Sequence, residues 1–129
     1  METFEKLKKK LQVENIKHEL LTTGGSLSVD DTVKHLGIQY KEGVSTLIFR
    51  VRGNEYVAVL RRDDTNIDNK KLKKSLGTSR VSFANKDDLA KLNIQSGLAS
   101  PLVLPEEVAL FVDKAVLDMD TVVCGTGSP

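Results

Sequence analysis

The chain has one cysteine, no tryptophan, three prolines and only 5% aromatic residues in 129 positions. A single cysteine, Cys124, excludes an internal disulfide framework and any CxxC zinc or redox pair. No apolar run approaches the roughly 18 residues that a membrane-spanning helix needs. Neither sign of charge dominates, with 19 Lys and Arg against 18 Asp and Glu. That balance excludes a strongly basic nucleic-acid coat and an acidic disordered tail. The start, Met1-Glu2-Thr3-Phe4-Glu5-Lys6, is amphipathic and charged, unlike a signal peptide. There is no internal repeat and no linker long enough to divide the chain. These observations predict a single soluble domain over residues 1–129, located in the cytoplasm.

The usual catalytic signatures are also missing. No GxxxxGK(S/T) phosphate loop is present, and Gly125-Thr126-Gly127 is too short for a dinucleotide fingerprint. His18 and His35 fall on different predicted elements, with no cysteine or paired carboxylate beside either. Exposed or partly packed side chains account for both better than ligands do. The carboxylate pairs Asp63-Asp64, Asp87-Asp88 and Glu106-Glu107 sit at turns or helix starts, where capping accounts for them. Cys124 ends an apolar stretch and reads as buried and inert.

What is present is a pattern of short elements. Phe4, Leu7 and Leu11 recur at helical spacing. Ile16, His18 and Leu20 alternate with charged residues, which predicts a short strand. Ser28 is a candidate N-cap for a helix with Asp30 and Asp31 in its first turn, Val29, Val33 and Leu36 as its buried stripe, and Gly37 at its end. The β-branched runs Val44 to Val51 and Glu55 to Leu60 flank Gly53-Asn54 and predict a β-hairpin. Asp68 caps a lysine-rich helix ending near Gly77, with Ile67 and Leu72 as a hydrophobic staple. Val81 and Phe83 mark a short strand, and Asn85 caps another helix. Val108 to Val112 and Thr121 to Cys124 read as strands joined by a helical turn. About four helices and at least six strands give an α+β fold with a mixed, curled sheet.

Two glycine-containing loops remain, Gly97 to Pro101 and Gly125 to Pro129. Such loops suit the presentation of backbone N–H groups to a carbonyl or an anion, and they are equally ordinary turn chemistry. Residues 61–80 carry seven basic and three acidic side chains. That excess fits either a solvated helix face or contact with a polyanion.

Taken in order, several segments resemble the YbaK family of aminoacyl-tRNA deacylases (YbaK/EbsC-like), which is similar to the editing insertion domain of bacterial prolyl-tRNA synthetases. Val44-Ser45-Thr46-Leu47-Ile48-Phe49-Arg50-Val51 looks like the family's first core strand. Ile67 to Gly77 resembles its "DLKKLAKALG" helix, and Gly97-Leu98-Ala99-Ser100-Pro101 fits its GxxxP loop. Val112-Asp113, followed by Val122-Val123-Cys124-Gly125-Thr126-Gly127-Ser128-Pro129, resembles its closing "VD…VVGAGSP" segment. The resemblance implies a barrel-like mixed sheet with flanking helices. It implies hydrolysis of the ester joining a wrong, small amino acid to tRNA, acting in trans, without a metal or other cofactor. Ser45, Gly97 and Ser100 would then occupy catalytic positions. Thr46, Leu98, Ala99, Pro101, Gly125, Thr126, Gly127 and Ser128 would bind the substrate, with the attacking water held by backbone groups and the terminal ribose hydroxyl of the tRNA. Lys70, Lys71, Lys73 and Lys74 would meet tRNA phosphate. Partners implied are aminoacyl-tRNA and an aminoacyl-tRNA synthetase, with no membrane, for a monomer or weak homodimer.

The sequence departs from the family pattern twice. Ser45 stands where the family carries a lysine in its "VKTL" strand, so the charge and the reach of the ammonium are lost. The sequence also stops at Pro129, where the family continues into a further strand and helix. The alternative reading is therefore a catalytically impaired module that still binds an aminoacyl-adenosine end, a nucleotide or a protein partner.

Overall fold

A computed structural model describes residues 3–21, 28–52, 55–95 and 99–125. Helix α1 (Thr3–Val13) buries Leu7 and Leu11, as their spacing predicts. The strand expected around Ile16 to Leu20 does not form. Ile16 and Leu20 are exposed there, and His18 Nδ1 lies 2.8 Å from the Ile16 carbonyl oxygen. Alternation predicts a strand only where another strand is present to take its hydrogen bonds.

Helix α2 (Val29–Leu36) begins where the Ser28 side chain accepts from the Asp31 N–H at 3.1 Å. It stops at Gly37, whose φ of 65° is the left-handed conformation that favours glycine. Its predicted stripe of Val29, Val33 and Leu36 is only half-buried. A 3-10 turn (Tyr40–Glu42) leads into the sheet.

Strands β1 (Val44–Arg52) and β2 (Glu55–Arg62) form the predicted antiparallel hairpin. The connecting Gly53-Asn54 lies outside the described residues, as do Gly24-Gly25-Ser26. A bulge at Val51 shifts the pairing, so Arg52 faces Glu55 but Arg50 faces Tyr56. One consequence governs the site: Ser45 lies opposite Arg61. A regular two-residue hairpin would have placed it opposite Arg62.

Helix α3 (Asn69–Leu76) starts at Asp68, whose carboxylate accepts from the Lys70 and Lys71 N–H groups. It ends at left-handed Gly77. The staple forms as predicted: Ile67 and Leu72 pack with Phe49 and Val59 on one sheet face. Strand β3 (Ser82–Phe83) pairs antiparallel with β1, and Phe83 stacks on Phe49 with ring centroids 4.8 Å apart. Helix α4 (Lys86–Lys91) opens with a capping box between Asn85 and Asp88. Strand β4 (Ala109–Val112) joins β2 in parallel, and helix α5 (Lys114–Leu117) follows under an Asp113 cap.

The sheet order is β3-β1-β2-β4, mixed and four-stranded. It is an α+β architecture, as expected, but the described strands number four rather than six and do not close into a barrel. The expected Thr121 to Cys124 strand reduces to one parallel bridge between Gly43 and Val123. Both faces of the hairpin are covered. Ile48, Ala58 and Tyr56 pack with Leu92 and Val108 on the face opposite α3, and Val44 and Leu60 pack with Val116 of α5.

Candidate functional site

The site is built at the start of β1. Val44 N–H donates to the Val123 carbonyl at 2.9 Å, and Val123 N–H donates to the Glu42 carbonyl at 3.1 Å. These bonds lay the final segment along the mouth of the hairpin. Cys124 then packs against the cluster of Val44, Leu60 and Val116. Burial pushes its thiol pKa up, which keeps it protonated and unreactive.

The loop carrying Ala99 arrives from the other direction. Ala99 packs on the cluster of Ile48 and Ala58. A Cβ built on Gly125 would lie 3.8 Å from the Ala99 carbonyl oxygen. The two glycine-containing loops, distant in sequence, therefore meet. Ser100 is 2% exposed, and its hydroxyl accepts from the Leu102 N–H at 3.4 Å, so it closes a turn through Pro101. Gly97, Leu98, Thr126, Gly127 and Ser128, the remaining predicted members of the two loops, lie outside the described residues.

Thr46 stands between Val44 and Ile48 on the same side of β1, because side chains alternate along a strand. Its hydroxyl oxygen is buried and has no hydrogen-bond partner among the described residues. A buried hydroxyl without a partner is costly unless a ligand or water completes it. On its two sides along the strand lie the clusters that receive Ala99 and Cys124.

Ser45 points to the other face. Its hydroxyl donates to Asp63 Oδ1 at 2.5 Å. Burial raises the Asp63 pKa, although the Ser45 hydroxyl and the Arg61 guanidinium both favour its charged form. Arg61, opposite Ser45 in the ladder, donates through Nη1 to the Thr65 carbonyl at 2.7 Å. Its Nε is buried with no hydrogen-bond partner among the described residues. Gly43 is held extended, and its lack of a side chain is a matter of space: a Cβ there would collide with the Asp63 carboxylate.

Asp63, Arg61 and Gly43 were not singled out by sequence reasoning, which took Asp63-Asp64 for turn chemistry. Both do form that turn, closed by the Thr65 N–H on the Arg62 carbonyl at 3.0 Å, but the Asp63 carboxylate turns to Ser45 while Asp64 pairs with Arg62 at 2.5 Å. The available signal was a charged residue, Arg61, following an apolar strand, but its partner depends on the bulge. Lys70, Lys71 and Lys74 are exposed on α3, while Lys73 is half-buried. No group of three or more His, Cys, Asp or Glu side chains suited to a metal ion exists among the described residues. No helix among them is long and apolar enough to cross a membrane.

The sequence profile of the aminoacyl-tRNA editing domain matches residues 23–129. The chain belongs to that family. It is 32% identical over 108 residues to the proline–tRNA ligase of Staphylococcus aureus strain Newman, and equally to that of strain COL. The match takes in 83% of this chain but 19% of the ligase. Among solved structures, the hypothetical protein APE2540 is similar with a TM-score of 0.86 and 23% identity, over 95% of this chain and 82% of that one. A candidate trans-editing enzyme for prolyl tRNA synthetase is similar with a TM-score of 0.78 and 15% identity, over 100% of this chain and 83% of that one. At these identities the structural likeness establishes the editing-domain fold alone.

Proposed function

We propose that the chain is an aminoacyl-tRNA deacylase acting in trans, which hydrolyses the ester linking a small, wrongly attached amino acid to tRNA. The observation that carries this reading is the approach of Gly125 to the Ala99 carbonyl over the face that holds Thr46. Editing-family membership supplies the reaction class.

The aminoacyl group would lie between the 97–101 and 125–128 loops, with the Thr46 hydroxyl beneath it. Backbone donors of the first loop would polarise the ester carbonyl and stabilise the oxyanion that forms when water attacks. One such donor contributes about 3 kcal/mol to lowering a barrier of this kind. Water attacks the carbonyl carbon, the carbon–oxygen bond to the ribose breaks, and the ribose oxygen takes up a proton.

Ser45 supports a second reading. It directs its hydroxyl to Asp63, where the resemblance implies an ammonium group. Without that charge the same pocket would bind an aminoacyl-adenosine end and release it unhydrolysed. Incubating the purified chain with Ala-tRNA(Pro), Cys-tRNA(Pro) and Ser-tRNA separates the two. Release of free amino acid from one of them supports the deacylase. Saturable binding with no release from any supports the binding module.

A further inference from the structure

An open groove lies at the other end of β1, away from the site just described. It has a volume of about 720 Å³ and is lined by Arg50, Arg52, Lys73 and Arg80, with the hydroxyls of Thr78 and Ser82. No acidic side chain among the described residues lines it. Strand β3 pairs only with Phe49 and Arg50, so the chain before Ser82 swings away from β1 and opens the groove. The loop on its far wall is shaped by Thr78, whose hydroxyl accepts from the Arg80 N–H and donates to the Arg80 carbonyl, both at 3.3 Å. Arg52 donates to the Gly77 carbonyl at 3.2 Å, which fixes the C-terminal end of α3 against the groove. Asp88 offsets part of the Arg50 charge from the neighbouring α4 side.

We infer that this groove binds the phosphate backbone of the tRNA substrate, several nucleotides away from the aminoacylated end. Three guanidinium groups and an ammonium, with hydroxyl donors between them, suit phosphodiester oxygens. Val51 and Val81 contribute apolar wall between them, and the charged groups set the sign of the ligand. Spacing supports the assignment. Thr46 and Arg52 are six residues apart on one strand, about 20 Å at the usual rise. The groove is thus placed to hold phosphates several nucleotides from the ester when the acceptor arm runs along β1. Of the four lysines marked in the sequence, only Lys73 belongs to it. The inference rests on the deacylase reading for the identity of the nucleic acid, and not for the binding itself.

The test measures binding of uncharged tRNA to the full chain between about 50 and about 200 mM salt, for the parent and for Arg80→Ala. Losing one phosphate contact lowers the slope of log K against log salt by about one and weakens binding severalfold. Arg80→Lys restores most of the slope, and Arg80→Glu weakens binding further. Hydrolysis of an aminoacyl-adenosine ester, too short to reach the groove, stays at the parent rate in Arg80→Ala, while KM for the full aminoacyl-tRNA rises. An unchanged slope in Arg80→Ala overturns the inference. So does polyglutamate binding as tightly as tRNA, which would mark an interface for acidic protein. If neither ester is hydrolysed by any variant but the slope still falls, the deacylase reading fails and the groove stands.

Discussion

Ser45 and Asp63, eighteen residues apart, share a hydrogen bond of 2.5 Å at the mouth of the hairpin. The serine hydroxyl is thereby oriented toward a half-buried carboxylate. The same carboxylate is a ready partner for a cation. Ser45→Lys would place an ammonium within reach of Asp63 and supply the charge that the family resemblance implies. Turnover of mischarged tRNA should rise about a hundredfold, the value of one donor at a developing oxyanion. A rate equal to the parent's in steady-state deacylation would show that the missing charge is not the limiting defect.

Thr46→Val separates structure from function at the pocket floor. The Thr46 hydroxyl is buried with no partner among the described residues. Replacing it by a methyl group of similar shape should leave stability unchanged or raise it by about 1 kcal/mol in urea unfolding. Deacylation should nevertheless fall at least severalfold, because the substrate loses a hydrogen-bonding group. A fall in stability with unchanged turnover would place the hydroxyl in the architecture alone.

Two glycines near each other should behave differently. Gly43→Ala drives a methyl group into the Asp63 carboxylate and should cost about 1–3 kcal/mol, by the usual scale for forced overpacking. Gly125→Ala meets only the Ala99 carbonyl at ordinary contact distance, so stability should stay within about 0.5 kcal/mol. Its methyl group narrows the gap between the two loops, and KM for the aminoacyl-tRNA should rise. Chemical denaturation and steady-state kinetics on both variants check this contrast.

Two carboxylates give stability opposite dependences on pH. Burial raises the Asp63 pKa above the usual 3.8. Its favourable contribution is complete below the unfolded value and is lost as pH rises through the folded value. Asp63→Asn escapes that loss, so its stability should gain on the parent's from about pH 4 toward neutrality. Asp88 is shifted the other way, chiefly by the Tyr56 hydroxyl, which donates to it at 2.6 Å. Its contribution is present above the unfolded value and is lost as pH falls through the folded value. Tyr56→Phe should therefore be most destabilising near neutrality and least in acid. Unfolding midpoints of the three proteins across that range test both signs.

The parts of the fold that were readable in the sequence are those fixed by local chemistry. Ser28, Asp68 and Asn85 cap their helices, and Gly37 and Gly77 end theirs, because each signal acts within a turn or so of chain. The hairpin was readable from its two β-branched runs. Its register was not, since the bulge at Val51 shifts every pair beyond it, and Ser45 meets Arg61 only through that shift. The strands expected at Ile16 to Leu20 and Thr121 to Cys124 failed for a related reason: alternation says which face a strand would bury, not whether a neighbour exists. The basic groove joins residues from β1, α3 and the loop before β3, so no single stretch of sequence displays it. The meeting of Gly125 with Ala99 was anticipated only through the family resemblance.

The most direct test is single-turnover hydrolysis of Ala-tRNA(Pro) by the purified chain, compared with spontaneous deacylation and with Thr46→Val. Release of alanine well above the spontaneous rate, and reduced in Thr46→Val, is the predicted result. A rate no faster than the spontaneous one, for this ester and for the cysteinyl and seryl esters alike, would contradict the deacylase assignment.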